Sequence, residues 1–217
     1  MTQPRRFIRA ALACAALIVL SAAGASAQVT ITIARVAFKD VATQRFAEVL
    51  HESRSGWIFP DIGYVDFGGD VYREFFAGAG RTLRRTPKLT LVGSLYYQQS
   101  AGPASGSARY LVPWFLVNCR PHARLQCEAV YFPYLPLTER AQVQHVLERA
   151  KLEYSVLPEL RVGGGYAAFH TRGIDWQNLP FATVTVSPPR IGDIEVWVQH
   201  LPGRGAQMQL RFMRVFK

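Results

Sequence analysis

The chain has 217 residues, a formal net charge of +10, and a composition that is 49% hydrophobic and 12% aromatic. Its Lys and Arg residues are scattered rather than gathered into runs interleaved with aromatics, which excludes an obvious nucleic-acid interface. Three cysteines without a C-x-x-C pair and five dispersed histidines give no metal-ligand spacing, so neither a metal nor another cofactor is expected.

At the start of the chain, Met1 to Arg9 is basic, Ala10 to Ala23 is apolar, and Ala25-Ser26-Ala27 supplies small residues. A positive region, a short apolar region and an A-x-A site make a secretory signal spanning 1–27, with cleavage before Gln28. The apolar run falls short of the ~20 residues that a membrane-crossing helix needs. Cys14 has only a stub of apolar sequence ahead of it, which argues against lipid attachment there. The remaining domain, roughly 190 residues long, is large enough for a sizeable interior. It stays basic, and that charge reads either as a hold on anionic headgroups or polyanions or, better suited to its scattered placement, as ordinary rim and turn charge.

In the segment 28–56, Val29-Thr30-Ile31-Thr32-Ile33 alternates like a strand, whereas Val41 to Glu52 sets Phe46, Val49 and Leu50 at helical spacing. The 3.6-residue period predicts a periplasmic or plug-like helix there, with an extra strand pair as the alternative. From 57 to 217 the pattern changes to short runs rich in Tyr, Phe, Trp, Val and Leu, cut by turn residues, which predicts strands. About ten strands of barrel length fit, eight to twelve at the limits.

The alternation is clearest in four runs. In Lys88 to Gln98, Leu89, Leu91, Leu95 and Tyr97 oppose Thr90, Ser94 and Gln98. Gln144 to Val156 sets Val146, Leu152 and Tyr154 against His145, Arg149, Lys151 and Glu153; Glu159 to His170 sets Leu160, Val162 and Tyr166 against Arg161; Asp193 to His200 sets Ile194, Val196 and Val198 against Glu195, Trp197 and Gln199. Arg109 to Asn118 is apolar on both faces, and Val71 to Thr82 can be phased either way, so register is not fixed by pattern there.

The links near Leu83 to Pro87, Arg120 to Ala123, Leu157 to Glu159 and Pro188 to Ile191 are tight, while Gln99 to Ser107, Tyr134 to Val143 and Thr171 to Pro180 are longer; Leu201 to Gly205 and Gly68 to Asp70 are short although they fall on the longer side. Tight turns on one side and longer loops on the other is the layout of barrels in the bacterial outer membrane. In the last strand, Met208, Leu210, Phe212 and Phe216 share a face. This strand resembles the C-terminal targeting strand of outer-membrane β-barrel proteins, with Arg214 and Lys217 as departures. The resemblance implies a closed antiparallel up-and-down transmembrane β-barrel, embedded in outer-membrane lipid beside lipopolysaccharide and delivered by the barrel assembly machinery, with Leu210, Phe212 and Phe216 as its targeting residues.

If apolar faces meet lipid, polar faces meet the lumen, and Glu128, Arg149, Lys151, Glu153, Glu195 and Arg211 bring complementary charges to it. A small barrel is filled by its own side chains, so these six are expected to pair as a structural network. Catalysis has little support: Ser187, His145, His170 and His200, with Asp175 and Asp193, supply pieces of a hydrolase but no nucleophile elbow and no shared location. Gly163-Gly164-Gly165, with Gly78 and Gly80, read as places where a bulky neighbour lies across the backbone. Tyr96, Tyr97, Tyr110, Trp114, Tyr131, Tyr134, Trp176 and Trp197 are expected in interfacial girdles, with a ligand pocket as the alternative. Cys119 and Cys127 fall out of cross-strand register if Arg120 to Ala123 is the turn, which makes a bridge awkward. A non-catalytic structural or envelope barrel is the leading functional reading. A narrow channel for a small or apolar solute comes second, and a secreted lipocalin-like binder third.

Overall fold

The structure is a computed structural model describing residues 28–38, 44–68, 72–102, 107–139, 141–201 and 205–216; the expected signal segment lies outside the described residues. Twelve strands run in chain order: β1 (Gln28–Phe38), β2 (Gln44–Glu52), β3 (Trp57–Asp66), β4 (Arg73–Thr86), β5 (Leu89–Ala101), β6 (Arg109–His122), β7 (Leu125–Pro136), β8 (Gln144–Leu157), β9 (Leu160–Thr171), β10 (Ile174–Val186), β11 (Asp193–Leu201) and β12 (Gly205–Phe216). Each pairs antiparallel with its chain neighbours, and β1 pairs with β12 to close the barrel. Closure leaves no strand edge unpaired, a requirement for a sheet in hydrocarbon.

The alternation sets which face is which. Leu95, Phe115, Leu152, Val184, Val198 and Leu210 are exposed on the outer wall, while Ser94, Gln98, Glu153, Thr185, Glu195 and Arg211 are buried inside. A water-soluble barrel inverts that distribution, so the lipocalin-like reading fails here. An apolar outer band around a polar interior is instead the arrangement that hydrocarbon accommodates.

The helix expected over Val41 to Glu52 is absent from its described part, which is strand β2. β2 pairs with both β1 and β3, and Phe46, Glu48, Leu50 and Glu52 stand opposite the lumenal Ala34, Thr32, Thr30 and Gln28. Ladder bonds on both sides outweigh a helical spacing of three apolar residues. The described part of the segment 28–56 thus supplies two wall strands, not a plug, and accounts for twelve strands instead of ten.

Two further expectations change for local reasons. β6 runs on to His122, so the turn is Ala123-Arg124, and a bulge beyond Cys119 restores the pairing Cys119↔Cys127. Those cysteines form a disulfide with Cα atoms 5.0 Å apart, on the outer face. The longer loop expected over Thr171 to Pro180 is instead a two-residue turn, Arg172-Gly173, with Gly173 at φ 81°. Glycine takes that left-handed conformation without steric cost, so β10 starts at Ile174.

Candidate functional site

The lumen is built by the inward residues of all twelve strands, and its chemistry divides into two walls. Along β7 to β12, the six charges named from sequence converge. Glu195 and Arg211 are directly opposed in the β11–β12 ladder, with Arg211 Nη2 3.0 Å from a Glu195 carboxylate oxygen. Lys151 contacts Glu195 and lies 3.2 Å from Glu153, while Arg149 pairs with Glu128 and Glu148. Thr185 donates to Glu153 at 2.6 Å, and the Trp197 indole donates to Glu195. Arg161 extends the set toward the tight-turn end, 3.7 Å from Glu153 and 3.1 Å from Asp193.

One contact spans the bore. Arg211 on β12 lies 3.5 Å from Glu128 on β7, and five strand positions separate β7 from β12 in a ring of twelve. The two side chains therefore meet across nearly the full width of the barrel. Glu153 and Thr185 beside this bridge are 1% exposed, so the side chains pack closely against one another at this level. The charged side chains form a septum.

The second wall, β2 to β5, is acidic and aromatic. Glu48, Asp61 and Glu74 face inward: Glu48 opposite Gly63, Asp61 opposite Gly78 and Glu74 opposite Ser100. Asp61 accepts a hydrogen bond from the Tyr96 hydroxyl at 2.6 Å. Glu74 accepts from Tyr72 and, at 3.3 Å, from Tyr134. Tyr96, Tyr110 and Val112 form a buried cluster joined by Phe76, Trp114, Phe132 and Tyr134. Tyr96 crosses Gly78, whose added Cβ would meet its ring at 2.5 Å; on the other side Phe181 covers Gly165 at the same separation and stacks on Trp197. Glycine is what lets a ring lie flat against the wall.

The girdle expectation for the aromatics holds for only part of the set. Tyr97 and Trp176 are exposed on the outside, and Tyr131 stands on the outer face with His145. Tyr96, Tyr110, Trp114, Tyr134 and Trp197 line the lumen instead. Sequence reading also missed Glu48, Asp61, Glu74, Arg161 and Glu148. Glu48 was hidden by the helical spacing, Asp61 by a register shift between Ile58 and Asp61, and Glu74 by a strand with two possible phases. Arg161 lay on a recognised polar face. Glu148 occupies a bulge between Leu147 and Arg149 opposite Val130 and Tyr131, and that bulge turns His145 outward although it shares odd numbering with the lumenal Arg149.

The hydrolase pieces are kept apart. His145 stacks on His170 outside the barrel near the β9–β10 turn, whereas Ser187 lies past the far end of β10, accepting a hydrogen bond from Arg161 at 2.9 Å.

No protein-family model matches the sequence, and no curated protein is similar to it. Solved structures do match in shape. The chain superposes on the KdgM porin with a TM-score of 0.59 at 11% identity, covering 87% of this chain and 98% of that one. The NanC porin gives 0.59 at 8% identity, with 87% and 99% covered. The COG4313 outer membrane channel from Pseudomonas putida F1 gives 0.59 at 12% identity, with 88% and 96% covered. The fold is that of an outer-membrane β-barrel. At these identities the likeness is one of architecture, and the apolar outer wall independently requires the membrane setting. In this outer-membrane barrel, β12 closes the wall against β1, and Leu210, Phe212 and Phe216 lie on its outer face with Arg214.

Proposed function

We propose that this outer-membrane barrel is a narrow channel, constricted by the ion-paired septum and lined on its opposite wall by carboxylates that favour small cations over anions. The Arg211–Glu128 bridge carries this reading, because it sets the bore at the width of two side chains rather than of an open pore. Charged rings and walls set ion preference by their sign, and the β2–β5 wall presents Glu48, Asp61 and Glu74. The similar solved structures are named as porins and as a channel, which supports conduction as the role of the lumen. One KdgM structure is described in complex with oligogalacturonate, a carboxylate-bearing ligand; the acidic wall here has the wrong sign for such a solute.

The test is single-channel recording in planar bilayers. Wild-type protein should give a small conductance, with a reversal potential in a potassium chloride gradient of the sign set by potassium permeation. Glu48→Gln with Asp61→Asn should move that potential toward zero, and Glu128→Gln with Arg211→Gln should enlarge the conductance. Silence in wild type and in the Glu128/Arg211 variant alike would overturn the channel. It would promote a closed structural barrel.

We also infer that β12 is read during insertion. Its outward face ends in the exposed Phe216 ring, and removing Phe216 and Lys217 should lower the fraction of protein that migrates as heat-modifiable barrel in the outer-membrane fraction. Undiminished insertion would detach targeting from this strand.

A further inference from the structure

At the tight-turn end, three outward aromatic rings each carry an arginine. The Arg81 guanidinium carbon lies 5.1 Å from the Trp57 ring centroid, and Trp57 and Arg81 are cross-strand neighbours on the outer faces of β3 and β4. The Arg214 guanidinium carbon lies 4.6 Å from the Phe216 centroid on β12. Arg124, in the β6–β7 turn, donates to the Tyr154 hydroxyl on β8 at 3.2 Å. These pairs are distributed around the circumference, and all three rings are exposed. Aromatic rings of this kind settle at headgroup depth, and guanidinium forks there present paired donors to phosphate oxygens.

The rest of that end has the same sign. Exposed Arg54, Arg84, Lys88, Arg120 and Arg190 lie in or beside the turns; Glu159 is the sole carboxylate among turn residues 53–56, 87–88, 123–124, 158–159 and 187–192, and the flanking Glu52 and Asp193 are paired with Arg85 and Arg161. The connections at the opposite end mix signs in sequence, with Asp40, Asp70 and Glu139 beside Lys39, Arg140, Arg172 and Arg204. Scattered rim charge gives no reason for that asymmetry. The three aromatic-held arginines project sideways from the wall, toward lipid, rather than along the axis toward a soluble polyanion.

We propose that this basic belt binds the phosphate-bearing headgroups of anionic phospholipids in the leaflet that meets the tight turns. Each basic residue close to an anionic membrane surface corresponds to roughly fivefold local enrichment. Trp57 is the reporter: in a Trp176→Phe background it is the only lipid-facing tryptophan, since Trp114 and Trp197 line the lumen. The barrel reconstituted in phosphatidylcholine vesicles should be quenched several-fold more by brominated phosphatidylglycerol than by brominated phosphatidylcholine at equal mole fraction. That ratio should fall toward one in the Arg81→Gln, Arg124→Gln, Arg214→Gln variant, and stay unchanged in an Arg45→Gln, Arg109→Gln control at the other end. If the triple variant does not fold, Arg81→Gln alone carries the test, because it removes the cation on the reporter ring and the lipid ratio corrects for any change in Trp57 emission. Excess inorganic phosphate should leave the preference in place. Equal quenching in wild type, preference retained without the arginines, or preference abolished by free phosphate would each overturn the proposal.

Discussion

Replacing Leu152 by arginine is expected to destabilise the barrel by ~1–3 kcal/mol, between the interfacial and the mid-bilayer cost of a cation on a lipid-facing strand position. Leu152 is 49% exposed on β8, between Cys127 and Gly164 on the flanking strands, and has only hydrocarbon to meet. Val196→Arg should behave alike, since Val196 stands between the outward Val184 and Leu210. Gln199→Arg is the control. Gln199 lies on the lumenal face beside Gln207, where a guanidinium keeps polar company, so the change should be much milder. Urea titration of the three variants in phospholipid vesicles, with folded yield read by heat-modifiable migration, gives the comparison. Equal losses on the two faces would mean that the outer wall is not the lipid wall.

How much of this was legible in the sequence depended on whether a strand kept strict two-residue alternation. β5, β11 and β12 do, and for them the lipid and lumen faces of Leu95, Ser94, Val198, Glu195 and Leu210 follow from parity alone. The Glu195–Arg211 opposition could be derived from the short β11–β12 connection. Where a strand carries an extra residue, parity fails beyond it, as at Glu148 on β8, which reverses His145. β2 was obscured differently: ladders to β1 and β3 decide its conformation, and one chain segment read alone does not reveal them. The lumenal aromatics were misplaced because a ring near a strand end satisfies both a girdle and a pore lining. Only the register, with Tyr96 lying across Gly78, separates the two. The septum's membership was largely visible as charges on polar faces, but its decisive contact was not, since Glu128 and Arg211 are far apart in sequence and meet only when the barrel closes.

That closure sharpens what removing a septum charge should do. Taking away one partner of a buried ion pair typically costs 3–5 kcal/mol, because the other is left charged in a poor solvent. Arg211→Met and Glu195→Gln should each approach the lower end of that range rather than the upper. Arg211 leaves behind a Glu195 still held by Lys151 and Trp197, and Glu195 leaves behind an Arg211 that retains Glu128. The double variant should be less destabilised than the sum of the two singles, as expected of members of one network. It should not return to wild type, since Glu128 then loses Arg211 and Lys151 loses Glu195. The coupling should grow when the cycle is repeated in a Glu128→Gln background, where Arg211 has lost its second carboxylate and depends on Glu195. Equilibrium unfolding in vesicles measures all of these terms. Two independent, additive losses would show that Glu195 and Arg211 do not share a desolvated interior, and the septum would then be a pair of separate surface contacts facing an open, water-filled bore.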